Sequence, residues 1–486
     1  MQALFWTTLI GLAAWGIGNS LLSRMRISVC GAGSLLLGLA PLSYFLLLFG
    51  GLRLLSSQLL RFFLLLAAGW GLFQLFSWRR RLPELHLRPL VAVLGLALLL
   101  SIAPSAVRAF SPPDEVDLVH YHLRAPLLWL RTGRVSWPFR QVVYHYPLGM
   151  ETLYALGIGV GGLQVPKLLH LMTGLATLWG IMSFARARWG IEVALLAGLF
   201  YWAIPEVYYL ATTTLVDLAW SGAEVLAFFV FFEGVEDRSS GRWTKWLLAG
   251  ALVGWAAAIK YSALMSALIL TGGIAWVCLR EGHSARWRDL LKGVGCFVVP
   301  ALLLGGFWYL KNWVLFGNPI YPFLWGGRGL SPEVARAWTG LLRMFGPSRS
   351  LWRFLRLPWD LFMSLEIPAM RPGLYPYPLA LFPLLLLRYR GEREVRWILA
   401  YSFLYATIWY WGGTMQERFL LAPIALGALL SARALERDLT EPKFGNMVVL
   451  GSVGLALILG LVREWQGLFL SGIEEVSFPL EELWIR

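Results

Sequence analysis

The sequence predicts an all-α polytopic membrane protein of about fourteen transmembrane helices, with two long extracytoplasmic loops carrying amphipathic interfacial helices. Three observations predict it. Hydrophobic residues fill 58% of the 486 positions and charged residues only 14%, too little charge to cover a soluble chain of this length. The apolar residues come in blocks, many near the ~20 residues that span a bilayer core. The basic residues behind the net charge of +14 fall in short clusters between those blocks. That distribution orients a membrane protein; it is not the contiguous patch of a nucleic-acid surface.

Spans are expected near 3–22, 27–49, 57–77, 89–108, 166–184, 190–205, 217–233, 246–259, 261–279, 293–310, 377–387, 397–411, 419–432 and 447–462. The first block lacks a basic n-region and is followed by Arg24 and Arg26, which reads as a retained anchor with its N-terminus outside. With those arginines cytoplasmic, strict alternation puts Arg79-Arg80-Arg81, Arg186/Arg188, Arg238/Arg242/Lys245 and Arg280/Arg286/Arg288 on the same side. Arg388/Arg390/Arg393/Arg396 and Arg433/Arg437/Lys443 follow. Every short basic loop then lies inside, as the positive-inside rule requires. The outer side receives the long segments 109–165 and 311–376. Within the first, 148–163 is apolar but too short and Gly-rich for a span, and reads with 119–132 as an amphipathic helix at the membrane interface.

Several chemistries are excluded. Cys30, Cys278 and Cys296 lie in or beside apolar segments without a CxxC or Cys/His cluster, so neither a disulfide framework nor a thiolate metal site is indicated. There is no P-loop, dinucleotide fingerprint or HExxH, and no cytoplasmic domain to bind a nucleotide sugar. An activated substrate must come from the membrane or its far side.

The polar residues that could carry chemistry collect on the outer side. The first loop holds Asp114, Glu115, Asp117, His120, His122, Arg124, His145 and Glu151 among closely spaced apolar and aromatic residues, so it packs on the membrane domain. Asp217 opens a span, where a carboxylate is costly unless it faces a cavity or a cation; a first-turn acid near water fits the same position. Lys260 interrupts an apolar run, as snorkelling or anion binding would each explain. Lys311, Asn312 and the GNPIYP turn at 317–322 fall on the same side. Arg418 suits an interfacial anchor and a guanidinium fork on phosphate equally well. Glu224, two turns below Asp217, either lines a cavity or pairs with another helix.

The run Asp117-Leu-Val-His-Tyr121-His122-Leu123, followed by Pro126, Trp129 and Gly133, resembles the D-x-x-x-Y-H-L…P…W…G signature of bacterial membrane glycosyltransferases. These belong to the class C superfamily, which includes protein O-mannosyltransferases and lipid A aminoarabinose transferase. Tyr146-Pro147…Glu151, Val216-Asp217-Leu218, Lys260-Tyr261, Gly317-Asn318-Pro319-x-Tyr321-Pro322 and Glu417-Arg418-Phe419 match in order. The resemblance implies an inverting transferase that moves a sugar from a polyprenyl-phosphate donor to the hydroxyl of a lipid, glycan or protein, outside the plasma membrane. It implies Asp117 as catalytic base, Asp217 as the second outer-loop acid, and Lys260 and Arg418 near the lipid phosphate. His120, Tyr121, His122, Tyr146, Glu151 and Lys311 join them as candidate substrate-binding residues. A divalent metal ion is the one cofactor considered, with Asp114 and Glu115 as its candidate ligands.

The expected partners are the lipid-linked donor, the acceptor and membrane lipids, with no nucleic acid. The chain divides into 1–88, N-terminal helices outside the match; 89–435, the catalytic membrane domain; and 436–486, a last helix and tail. A lipid or oligosaccharide transporter or flippase is the non-enzyme alternative, although no internal symmetry is visible. An O-antigen ligase or polymerase would suit the Arg-rich stretch 328–371.

Overall fold

The computed structural model describes residues 1–25, 30–77, 88–111, 121–138, 141–281, 286–344, 348–363 and 381–440, with isolated positions between 451 and 465. Among these residues every element is helical and no strand occurs. In chain order the helices are α1 (Gln2–Arg24), α2 (Gly31–Gly51), α3 (Ser57–Ser77), α4 (Pro89–Arg108), α5 (Arg124–Thr132), α6 (Gly149–Gly161) and α7 (Gln164–Trp189). There follow α8 (Ile191–Trp202), α9 (Pro205–Leu210), α10 (Asp217–Glu236), α11 (Gly241–Ile259), α12 (Leu264–Arg280) and α13 (Arg286–Phe316). The last six are α14 (Pro332–Met344), α15 (Leu351–Met363), α16 (Phe382–Tyr389), α17 (Arg393–Gly412), α18 (Leu421–Ala434) and α19 (Glu436–Thr440).

Eight of the described helices are long and apolar enough to cross a membrane: α1 to α4, α7, α10, α12 with the turn before it, and α13. Their outward faces carry bare hydrocarbon. Phe62, Leu66, Phe73, Leu96, Leu99, Leu302 and Leu303 are all exposed, an apolar surface far larger than a water-soluble monomer shows. The chain is a multi-pass membrane protein.

Helix α10 is the hub, buried along almost its whole length and packed against α7, α11, α12 and α18. Around it the helix ends sort by charge. At one end Arg188 pairs with Glu236 and Glu394, Arg242 with Glu281, Arg433 with Glu392 and Glu436, and Arg388 with Asp438. These pairs tie together the ends of eight described helices, α7, α10, α11, α12, α16, α17, α18 and α19. They also gather the described members of several basic clusters that alternation places on one side. The opposite end holds Asp217, Lys260 and Arg418.

One expected element differs. Helix α6 does not lie on an interface with a free polar face. Nearly every residue from Gly149 to Val160 is buried against α2, α5 and α7. Its glycines permit this: a Cβ on Gly149 would stand 2.7 Å from the Ala258 carbonyl oxygen. By contrast α5, α14 and α15 are strongly amphipathic.

Candidate active site at the Asp217 end of the bundle

The chain reaches α10 through an irregular passage, 211–216, that would leave backbone polar groups unpaired in a buried place. His170 of α7 resolves this. Its Nε2 accepts the Leu218 N–H at 2.9 Å, which leaves the proton on Nδ1, and Nδ1–H donates to the Thr213 carbonyl at 3.1 Å. Tyr154 donates to the Leu215 carbonyl at 2.5 Å. The turn so held presents Asp217, whose side chain is fully buried.

Lys260 arrives from α11, which stops at Ile259. Lys260 is extended (φ −152°, ψ 141°) and a single 3-10 turn, Tyr261–Ala263, follows it. This break aims the ammonium at Asp217, and Nζ donates to Oδ1 at 2.7 Å. Trp220 also reaches Oδ1, at 3.4 Å, while Oδ2 is buried and accepts no hydrogen bond from any described residue. Arg418 comes from the 3-10 turn Glu417–Leu420 that leads into α18. Its Nε donates to Gln416 Oε1 at 2.9 Å, and its charge acts on Asp217. Both cations reach the Phe419 ring: Lys260 Nζ is 4.5 Å and Arg418 Cζ 5.5 Å from its centre. Such cation–π contacts hold charge at low desolvation cost. Lys260 and Arg418 are partly exposed and Asp217 is not, so two cations face outward with a carboxylate behind one of them.

A second group adjoins the first. His122 Nδ1 and Glu151 Oε1 are 2.7 Å apart, both residues buried. Beside it Tyr121 meets Tyr146 edge to face, and Tyr146 in turn contacts Tyr261, Phe323 and Trp338. Asn312 donates to the Tyr261 hydroxyl at 2.8 Å and to the His145 carbonyl at 2.9 Å, and Lys311 donates to that same carbonyl at 3.1 Å. Aromatic faces with interspersed polar atoms are the surface a sugar ring stacks on. In this loop burial raises the Tyr144 phenol above its ordinary range, with Arg124 pulling the other way.

Asp217, Lys260 and Arg418 are thus brought together, with His122 and Glu151 next to them and Tyr121 and Tyr146 in the adjoining aromatic group. Lys311 is engaged apart from them, over Trp137 and Trp308. Asp114, Glu115, Asp117 and His120 lie outside the described residues. Glu224 accepts from Ser266 at 2.6 Å and from Tyr405 at 3.3 Å, which makes it a tie between α10, α12 and α17. Among the described residues no group of three or more His, Cys, Asp or Glu could hold a metal ion. The residue not singled out from the sequence is His170; its position among four histidines within 120–170 was the only signal.

No family model matches the chain and no curated protein matches it. Solved structures do. ArnT from Cupriavidus metallidurans in the apo state is 18% identical, with a TM-score of 0.46 over 71% of this chain and 60% of that one. The same enzyme bound to undecaprenyl phosphate gives 17% and 0.46, over 72% and 59%. An Archaeoglobus fulgidus oligosaccharyltransferase in complex with Zn and sulfate gives 14% and 0.45, over 76% and 53%. The chain spans about 60% of the length of the first of these structures.

Proposed function

We propose that the protein is an inverting glycosyltransferase of the plasma membrane, with about fourteen spans and its reaction on the extracytoplasmic side. The donor is a polyprenyl-phosphate sugar and the acceptor a hydroxyl of a lipid, glycan or protein. The observation that carries this reading is the pair of partly exposed cations, Lys260 and Arg418, that share the Phe419 ring, with the buried Asp217 carboxylate on Lys260.

In this reading Asp117 accepts the acceptor's proton as its oxygen attacks the anomeric carbon. The bond from that carbon to the phosphate oxygen breaks, and its electron pair leaves with the polyprenyl phosphate. Lys260 and Arg418 meet the growing phosphate charge. Asp217 holds the Lys260 ammonium in place through a hydrogen bond to Oδ1. Tyr121 and Tyr146, with His120, His122 and Glu151, line the sugar and acceptor positions. Lys311 keeps the first loop seated beside them. No step is routed through a metal ion; Asp114 and Glu115 stay candidate ligands for one.

The test is a transfer assay with purified protein and a panel of radiolabelled polyprenyl-phosphate sugars. Asp117→Asn should abolish transfer, and Arg418→Ala should raise the donor KM by about tenfold or more. Undiminished turnover by Asp117→Asn would overturn the assignment of the base. Transfer of none of the donors by the wild-type protein would overturn the reaction class.

A further inference from the structure

Helix α15 has three sides. Leu351, Trp352, Leu355 and Trp359 fall in one stripe about 100° wide, and they are 66%, 67%, 64% and 56% exposed. A second stripe is polar, with Arg353, Arg356 and Asp360, the last two paired at 3.0 Å. The third packs on protein: Phe354 meets Phe403, Tyr410 and Trp411 of α17. Helix α17, against which Phe354 packs, also exposes Phe403, Leu404 and Trp411. Four large apolar side chains on one face of a short helix, beside an arginine-bearing face, are the signature of a helix lying in a bilayer interface.

The N-terminus of α15 is also bolted to the approach to Arg418. Arg349 Nη1 donates to the Trp411 carbonyl at 2.8 Å, and Nη2 donates to the Gly413 carbonyl. The Ser350 N–H donates to the Tyr410 hydroxyl at 3.1 Å, and that hydroxyl donates back to the Ser350 carbonyl at 3.1 Å. From there Trp409 Nε1 donates to the Gln416 carbonyl at 2.9 Å, and Arg418 donates to the Gln416 side chain at 2.9 Å. The chain of contacts from the exposed stripe to the Arg418 guanidinium is complete.

We propose that α15 is a lipid-seated strut: the bilayer leaflet is the partner of its Leu351/Trp352/Leu355/Trp359 face, and through Arg349 and Tyr410 that seating holds Arg418 in position. Arg418's task at the donor phosphate rests on the function proposed above; the seating itself does not. Seating on lipid leaves α15 able to register the depth of the leaflet, so donor binding becomes sensitive to the membrane around it.

The experiment uses full-length protein in lipid nanodiscs with Cys30, Cys278 and Cys296 replaced by serine. A spin label is placed at Leu355→Cys or, on the polar stripe, at Arg353→Cys. The label at 355 should be reached by dissolved oxygen and hardly by a water-soluble nickel chelate, with the order reversed at 353. A label at 355 that the chelate reaches freely would overturn the seating, as would one shielded from both reagents, which would indicate a protein cover such as a second copy. The strut is tested by Leu355→Asn and Arg349→Ala, each expected to raise the donor KM about tenfold and to lower kcat as well, because Arg418, which also meets the charge growing on the phosphate, loses its support. Arg349→Lys should recover little, since it cannot fork across two carbonyls. An unchanged KM in both variants would overturn the coupling. Absence of transfer in the wild-type protein would strike the enzyme reading and leave the label result standing.

Discussion

Asp217 illustrates how much one side chain depends on its neighbours when water is scarce. Its carboxylate is buried, with the Lys260 ammonium at 2.7 Å. Removing one member of such a pair leaves an uncompensated charge, whereas removing both is often nearly neutral. Lys260→Met is therefore expected to destabilise the protein by about 3–5 kcal/mol, read as a lower denaturation midpoint in detergent micelles. The double variant Lys260→Met with Asp217→Leu should regain most of that stability and still transfer no sugar. Equal stability of the single and wild-type proteins would show that the pair is not what holds this turn. His170 makes a different claim, because it bonds only backbone. In His170→Ala the Thr213 carbonyl and Leu218 N–H lose their partners, at about 1–3 kcal/mol each. The specific signature is faster hydrogen exchange of the Leu218 amide, with partial recovery in His170→Gln, whose amide can both donate and accept.

At the scale of helices, close approach depends on the absence of side chains. A Cβ on Gly38 of α2 would fall 1.7 Å from the Ala14 carbonyl oxygen, and one on Gly18 of α1 1.8 Å from that of Ser34. These positions make a small-xxx-small pattern on each helix, Ala14/Gly18 and Ser34/Gly38, which lets the backbones touch. Gly38→Val should force α1 and α2 apart and lower the unfolding temperature. The same variant should reduce cross-linking between cysteines placed on the two helices, and unchanged cross-linking would refute the contact. This scale also separates what the sequence could reveal from what it could not. Asp217, Lys260 and Arg418 were legible as a group because alternation of spans put all three on one side, and the helices then had only to bring their ends together. The burial of α6 was not legible. Its Gly-rich run lacks both the length of a span and the polar stripe of an interfacial helix, and its burial depends on partners such as Ala258, which is far away in the chain. His170 was hidden for a similar reason, since its partners are backbone atoms 43 and 48 residues away.

For the whole molecule the arrangement of charge poses a question that the helix count does not. One end of the bundle carries the short basic turns, locked in pairs such as Arg188 with Glu236 and Glu394. The other end carries a long segment that is itself rich in arginine, including Arg328, Arg336, Arg349, Arg353 and Arg356. A tally of positive charge alone would leave the orientation open. The positive-inside rule acts through short loops near span ends, while long segments cross largely regardless of charge. The turn at 237–240 is of the first kind and the segment 317–363 of the second, so the Asp217 end should face away from the cytoplasm. Cysteines at Ser239 and Glu333, both exposed, report the two ends. A membrane-impermeant maleimide added to intact spheroplasts should label Glu333→Cys at once and Ser239→Cys only after permeabilisation. The opposite pattern would place Lys260 and Arg418 on the cytoplasmic side, where the donor, the acceptor and the reaction proposed for this end would all have to be reconsidered. The result therefore constrains the chemistry as directly as any substitution within the site.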